Sequence, residues 1–311
     1  MDKDARVTNY GFTLVQLRYF AAAAELGSMT AASRKLMVSQ SAVSTAVAQL
    51  EKELGVQLLL RQHARGLTLT AAGEEFYREL RNYLVHTAEL AEVARTAGRA
   101  LIGDLTIGCF STLAPFALPQ MLAACEQEHP GIRVSVVEDE HAVLKQALRS
   151  GRCELALMYG YDLEEDIDHV RVGVASPYAL VAKGHPLGRR KRITLRDLAD
   201  EPMVLLDLPH SGRYFERLVE SAGFQPVIRH RTSGFETVRA LVANGQGWSV
   251  LNQRPASNTT YDGSEVVALE ITDHVEPLDV VLASMAGTRR TARAQAFIRS
   301  SIRAARSRAE H

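Results

Sequence analysis

Cysteine is scarce. Cys109, Cys125 and Cys153 are the three in 311 residues, and their irregular spacing excludes a disulfide framework and a thiolate zinc site. That usage suits a reducing, cytoplasmic setting. An excess of one charge is missing as well: 36 Lys and Arg balance 36 Asp and Glu, so any surface for nucleic acid must be local. No apolar run approaches the roughly 18 residues of a membrane span. The opening MDKDARVTNY lacks the apolar stretch of a signal peptide and reads as a disordered leader before Thr13. The chain has no Gly-x-Ser-x-Gly elbow, no Gly-x-x-x-x-Gly-Lys loop and no His-Glu-x-x-His pair. Gly245-Gln-Gly247 stops short of a dinucleotide fingerprint and reads as a tight turn. His129 and His141 have no companions at ligand spacing and are expected at the surface. Cys109 is expected as a small buried residue rather than a redox sensor. No metal, no cofactor and no catalytic residues are therefore expected.

What is present is an ordinary globular composition, 46% apolar and 23% charged, in a chain too long for one core. The most informative stretch is Gly27 to Leu54, GSMTAASRKLMVSQSAVSTAVAQLEKEL. Ser28 suits an N-cap, with Ala31, Ala32 and Leu36 as the buried face of a short helix. Met37 and Val38 make a corner, and Ser39 caps a second helix. There Val43, Ala46, Val47, Leu50 and Leu54 recur every three or four residues. Ser41, Ser44, Thr45 and Ala48 fall on the opposite side, where solvated helices normally carry Glu, Lys and Arg. A face of small hydroxyl and methyl groups can sink into the major groove of B-DNA. The spacing predicts a helix-turn-helix with Gln40 to Gln49 as the recognition helix. Between Ser28 and Thr70, Arg34, Lys35, Lys52, Arg61 and Arg65 outnumber Glu51 and Glu53, the local basic surplus such a surface needs.

Leu14-Val-Gln-Leu-Arg-Tyr-Phe20, Gly27-Ser28, Ala31-Ala32, Val38-Ser39-Gln40, Ser44, Gln49-Leu50-Glu51, Leu54-Gly55-Val56-Gln57-Leu58 and Leu69-Thr70-x-x-Gly73 stand in one register. Together they resemble the N-terminal signature of LysR-type transcriptional regulators. Two departures are Ser41, where that family commonly has Pro, and a wing one residue longer. The resemblance implies tetramers built from two kinds of dimer, and autoregulation.

Thr13 caps a first helix whose Leu14, Leu17, Phe20, Ala21 and Ala24 close a three-helix core, ended by Gly27. Val56–Leu60 and Leu67–Thr70 flank a basic tip and read as a β-hairpin wing. From Ala71 to about Gly98 one helix of about 25 residues, roughly 38 Å long, carries Phe76, Leu80, Tyr83, Leu84, Leu90 and Val93 as an apolar stripe. Its most economical partner is the same helix of a second chain. Gly98–Gly103 reads as a hinge. Beyond it, strand-like runs at 104–109, 133–137, 154–158, 179–183, 203–206, 227–230, 248–251 and 278–283 alternate with helical patterns at 113–128, 141–151, 195–199, 212–222 and 235–244. Alternation of this kind predicts an α/β sheet of mostly parallel strands. The chain is expected to cross between lobes near Ser176-Pro177 and to return near Asp273 to Pro277. That resembles the periplasmic-binding-protein-like effector domain of LysR-type regulators. The arginines from Arg289 to Arg308 read as a solvated terminal helix.

The expected organisation is thus a winged helix-turn-helix domain at 13–73, a linker and dimerisation helix with hinge at 74–100, and a two-lobed α/β effector domain at 101–308. Lobe I takes about 101–175 and 271–308, lobe II about 176–270. DNA contacts are expected from Ser39, Gln40, Ser41, Ser44 and Thr45 in the groove, with Arg34, Arg61 and Arg65 on backbone or minor groove. Ligands of open α/β sheets sit beyond the carboxyl ends of strands. That rule nominates Ser111, Thr112, Tyr159, Tyr161, His210, Ser211, Thr232, Ser233 and Phe235 for an effector, with free amides and hydroxyls favouring a carboxylate. The function expected is a sequence-specific, ligand-responsive regulator. A homodimer, or homotetramer, would read an imperfect inverted repeat in double-stranded DNA. The rivals are a small-molecule-binding protein or enzyme whose N-terminal domain serves assembly only, and an architectural nucleoid protein.

Overall fold

The computed structural model of the chain describes residues 11–62, 66–96, 101–209 and 211–309, the side chains of 61–62, 88–96, 211 and 306–309 excepted. The leader as far as Tyr10, the wing tip with Arg65, hinge residues 97–100 and His210 lie outside the described residues. So do the side chains of Arg61, Leu90, Val93 and Ser211. The chain forms two compact units, Met1–Arg99 and Ala100–His311.

In the first unit, α1 (Leu14–Leu26) opens on a capping box: the Gln16 amide donates to Thr13 Oγ1 at 3.2 Å and the Thr13 amide to Gln16 Oε1 at 2.6 Å. Gly27 closes it at φ 58°, a conformation a β-carbon resists. Its carbonyl then accepts from the Leu67 amide at 2.9 Å, pinning the wing to this corner. Ser28 caps α2 (Met29–Leu36) and Ser39 caps α3 (Gln40–Leu54), with Met37 left-handed at φ 54° between them. Phe20, Ala23, Ala32, Val43, Val47 and Leu50 make the centre of the core. On α2 the buried set differs from the expected one: Met29, Ala32 and Ser33 are buried, while Ala31 and Leu36 are only half-buried. An eight-residue helix wedged between two others buries one narrow i, i+3, i+4 face. Ser33 is tolerated there because its hydroxyl donates to the Thr30 carbonyl at 2.9 Å.

The wing is β1 (Leu59–Gln62) against β2 (Gly66–Leu69), antiparallel, with Leu59 opposite Leu69. Helix α4 (Ala71–Thr96) spans 26 residues. Its first turns pack on the three-helix core through Phe76, Tyr77, Leu80 and Leu84, whereas Tyr83 is 54% exposed.

The second unit runs β3 (Gly103–Phe110), α5 (Ala114–Glu128), β4 (Ile132–Asp139), α6 (His141–Ser150), β5 (Leu155–Tyr159), β6 (Ile167–Ala175), β7 (Tyr178–Ala182) and β8 (Arg192–Ile193). It continues with β9 (Met203–Leu206), α7 (Ser211–Glu220), β10 (Ile228–Thr232), α8 (Phe235–Ala243), β11 (Ser249–Leu251), β12 (Val266–Ile271), β13 (Leu278–Met285) and α9 (Ala292–Ala309). One five-stranded sheet has the order β4-β3-β5-β13-β6; a four-stranded sheet β11-β7-β12-β8 and a β10-β9 pair come from the middle of the unit. Trp248 joins those last two: its carbonyl accepts from Val204 at 2.8 Å, and its fully buried indole donates to the Glu201 carbonyl at 3.0 Å. Gly247 before it, at φ 141°, lies against the Pro202 carbonyl, which an added β-carbon would meet at 2.1 Å.

The chain leaves the five-stranded sheet after Ala175, enters the four-stranded one at Tyr178, and comes back between Ile271 and Leu278. The strands are less parallel than the sequence suggests. β13 runs antiparallel to both β5 and β6, and β7 antiparallel to both β11 and β12. A parallel neighbour needs a crossover returning the chain to the same end; β13 instead arrives directly from the other sheet.

Candidate functional site

Two surfaces carry candidate chemistry. On α3, Ser39, Gln40, Ser41, Thr45, Ala48 and Gln49 are exposed and Ser44 is half-buried, opposite the fully buried Val43 and Leu50. The groove-facing set named from sequence therefore shares one face, and Arg34 stands exposed at the end of α2. The side chains are tied locally. Ser39 Oγ accepts from the Ala42 amide at 3.1 Å and lies 3.0 Å from Ser41 Oγ; Thr30 donates to Gln40 Oε1 at 3.3 Å. Gln16 Nε2 donates to Gln49 Oε1 at 3.1 Å. The first charged residue of the helix, Glu51, turns away to other work. Its Oε1 accepts from the Leu58 and Leu59 amides at 2.8 and 2.9 Å, so the end of the outward helix and the root of the wing are one hydrogen-bonded piece. Sequence reading missed this role, although a glutamate eight residues before a strand start in a basic stretch is a usable signal.

The second surface is a cleft in the other unit where strands of both sheets end. It measures ≈ 340 Å³ out to its solvent mouth, and side chains crowd most of it. Of the residues named from sequence, Thr112, Tyr159, Tyr161 and Phe235 line it. Ser111, Thr232 and Ser233 do not: Ser233 is exposed, and Thr232 Oγ1 accepts from the Gly234 amide at 3.3 Å, serving its own turn. Phe110, Tyr214, Phe215, Asn252 and Gln253 join the lining without having been named. Asn252 and Gln253 follow the end of β11, so the strand-end rule itself could have found them.

The cleft is aromatic and its hydroxyls stay protonated. Burial raises the pKa of Tyr159 and Tyr161 and pushes Tyr214 up to about 12, the neighbouring Asn252 amide tempering the last. Gln253 Nε2 donates to Tyr159 Oη at 3.2 Å, while its carbonyl accepts from Tyr178 Oη at 2.8 Å. One residue of the loop after β11 thus spans from β5 to β7.

His141 is not a surface residue. It is fully buried, stacked on Tyr161 with centroids 4.6 Å apart, and its Nε2 lies 3.0 Å from the Tyr159 carbonyl. The start of α6 tucks under the end of β5, and pattern alone does not show an imidazole used as a flat packing surface. One turn on, the buried Lys145 ammonium donates to the Asp162 carbonyl and to Glu164 Oε1, both at 2.9 Å. It ties down the turn that carries Tyr161, where Asp162 sits at φ 53°.

Cys109 is fully buried, and burial, then the charge of Glu138, pushes its thiol up to about 12. The thiolate is the reactive form. In the folded protein Cys109 should stay unmodified by iodoacetamide between pH 7 and pH 9, a window that includes the ordinary thiol pKa of about 8.5, and react once unfolded, as peptide mass mapping would read. Rapid native alkylation would contradict its burial. Among the described residues no group of three His, Cys, Asp or Glu is placed to hold a metal ion, and no helix is long and apolar enough to cross a membrane.

Comparison with known proteins matches residues 14–74 to the model for bacterial regulatory helix-turn-helix proteins of the lysR family. Residues 98–306 match the LysR substrate binding domain. TdfR, a transcriptional regulator of Cupriavidus pinatubonensis, is 32% identical over 88% of this chain and 92% of its own. The crystal structure of HinK, a LysR family transcriptional regulator from Pseudomonas aeruginosa, superposes with a TM-score of 0.64 at 36% identity, covering 94% of this chain and 98% of that one. Full-length CbnR in complex with its target DNA is similar at a TM-score of 0.57 and 25% identity, over 94% and 100% of the two chains.

Proposed function

Since the chain belongs to the LysR family, as a DNA-binding transcriptional regulator with an effector-binding domain, we propose that it reads DNA through the exposed face of α3 and senses a small molecule in the aromatic cleft of its second unit. Ser39, Gln40, Ser41, Ser44 and Thr45 meet base edges and phosphates, and Arg34, Arg61 and Arg65 meet the backbone or minor groove. The observation that carries this is the outward face of α3, free of charged side chains as far as Glu51 and set opposite its own buried stripe. What supports pairing of chains is the exposed Tyr83 on α4 beyond the reach of its own core, together with CbnR's occurrence on target DNA. Two chains related by a two-fold axis require an operator with the same symmetry, hence an imperfect inverted repeat read by a homodimer or homotetramer. A protein acting on the chromosome in this way is cytoplasmic. It acts by binding rather than turnover, and conversion of any compound by the purified chain would count against it.

The domains of this reading are 13–73 for DNA, 74–100 for pairing and linkage, and 101–308 for the effector, lobe I at about 101–175 and 271–308 and lobe II at about 176–270. A carboxylate-bearing effector is one version of the ligand, and an uncharged planar one is its alternative, a choice that binding of matched acids and amides decides. The first turn of α7, beside the cleft-lining Tyr214 and Phe215, supports the carboxylate because helix N-termini favour anions.

The test is a band-shift and footprint of the full chain on DNA upstream of its own and the adjacent genes. A two-fold footprint that survives competitor DNA is expected. Arg34→Ala and Arg65→Ala should each lower the slope of log affinity against log salt by about 0.9, the loss of one neutralised phosphate. An unchanged slope removes that arginine from the interface, and indifference to all such DNA removes the reading.

A further inference from the structure

Building on the cleft reading above, we infer that the effector group held by Tyr161, Tyr214 and Asn252 is uncharged and planar and offers both a hydrogen-bond donor and an acceptor, as a carboxamide does. Among the described residues, three buried polar atoms at this one cleft make no hydrogen bond of good geometry within the protein: Tyr161 Oη, Tyr214 Oη and Asn252 Oδ1, the last two on side chains that lie near each other. They come from three separate elements, the turn after β5, helix α7 and the loop after β11. Buried polar atoms are almost always bonded, and one left alone carries its full desolvation cost. Three gathered around the same space call for one molecule that answers them all. Asn252 is itself 8% exposed, so its carbonyl oxygen has little recourse to solvent.

Their chemistry sets the complement. A protonated phenol can donate, and both phenols are held protonated by burial. An amide oxygen can only accept. The guest must therefore present an acceptor to the tyrosines and a donor to Asn252. A carboxylate satisfies the tyrosines but gives Asn252 nothing and sets a second acceptor against it. Its charge would also lie desolvated, since none of the described residues lining the cleft is Lys, Arg, Asp or Glu. A carboxamide or a ring carrying both N and N–H meets all three. The walls select flatness: Tyr159 and Tyr161 lie 19° from parallel, and Phe110 and Phe235 line the same space.

The experiment is a thermal-shift and calorimetric titration of the full chain with matched pairs of planar acids and their primary amides: benzoate and benzamide, nicotinate and nicotinamide, phenylacetate and phenylacetamide. In at least one pair the amide should bind about ten-fold tighter than its acid. Tyr161→Phe and Tyr214→Phe should each weaken that amide roughly three- to ten-fold, and Asn252→Leu should abolish the preference for amide over acid. The two conservative tyrosine variants keep the test alive should Asn252→Leu fail to fold. Acids that bind tighter, with affinity still sensitive to Tyr161→Phe, overturn the uncharged class and leave the cleft standing. Binding indifferent to all three substitutions overturns the cleft as well. No binding by any member at millimolar concentration overturns the class.

Discussion

Ser41→Glu combined with Thr45→Glu should abolish sequence-specific DNA binding, with a loss of more than about a hundred-fold in affinity. Both side chains are exposed on the outward face of α3. The substitution sets two carboxylates against a duplex bearing one negative charge about every 1.7 Å, and like-charge juxtaposition at an interface costs several kcal/mol. The fold should be untouched, because neither residue contributes to the buried stripe of Val43, Val47 and Leu50. Exposed substitutions of this kind usually move stability by no more than about 0.5 kcal/mol. Circular dichroism and the melting curve should coincide with wild type while the band-shift disappears. Retained operator binding by a folded double variant would assign α3 to another partner. The design separates charge from shape: Ser41→Ala with Thr45→Val keeps the face small and should cost far less.

The second large effect is Phe20→Ala, expected to destabilise the first unit by about 3–5 kcal/mol. Phe20 is fully buried and packs against Phe76 at 5.5 Å and Tyr77 at 6.3 Å between ring centroids. Its removal opens a cavity where α1 meets α4 and forfeits two aromatic contacts. For a domain of this size that corresponds to a fall in melting temperature of at least about 12 °C. Scanning calorimetry should show one transition moving down while a second, belonging to the Ala100–His311 unit, stays where it was. DNA binding would then fail on warming while effector binding persisted. Transitions that shift together would mean the two units unfold as one.

Local chemistry made the first unit legible and left parts of the second obscure. Thr13, Ser28 and Ser39 each cap a helix, and Gly27 and Gly55 close two of them, so the boundaries were written in residues whose only good place is a helix end. β6 was not foreseen because it is the edge strand of its sheet. Its outward Asp168, His169 and Arg171 break the apolar run, and the Arg171 charge is answered only in three dimensions, by Asp279 at 2.9 Å. β8, two residues long, carries no periodicity at all. At the cleft, strand ends pointed to Thr112, Tyr159, Tyr161 and Phe235. Tyr214 lay hidden because an aromatic one turn into an amphipathic helix reads as core, and its hydroxyl is what marks it as lining. His141 was misjudged for the complementary reason: a polar residue at a helix start suggests water, and its burial is accounted for by groups distant in sequence, the stacked Tyr161 ring, the Phe110 ring and the Tyr159 carbonyl.

Were the sheets of the second unit to move against one another, the two chain passages that join them, 175–178 and 271–278, would serve as a pair of hinge pins serves a door. Two pivots define one line, and panels so joined would swing about it more readily than slide or twist. A guest wedged near that line would need to widen the gap only slightly for the far rims to travel several times as far. The lever is built into the order of the strands, and any effector that fits would draw on it without supplying a lever of its own.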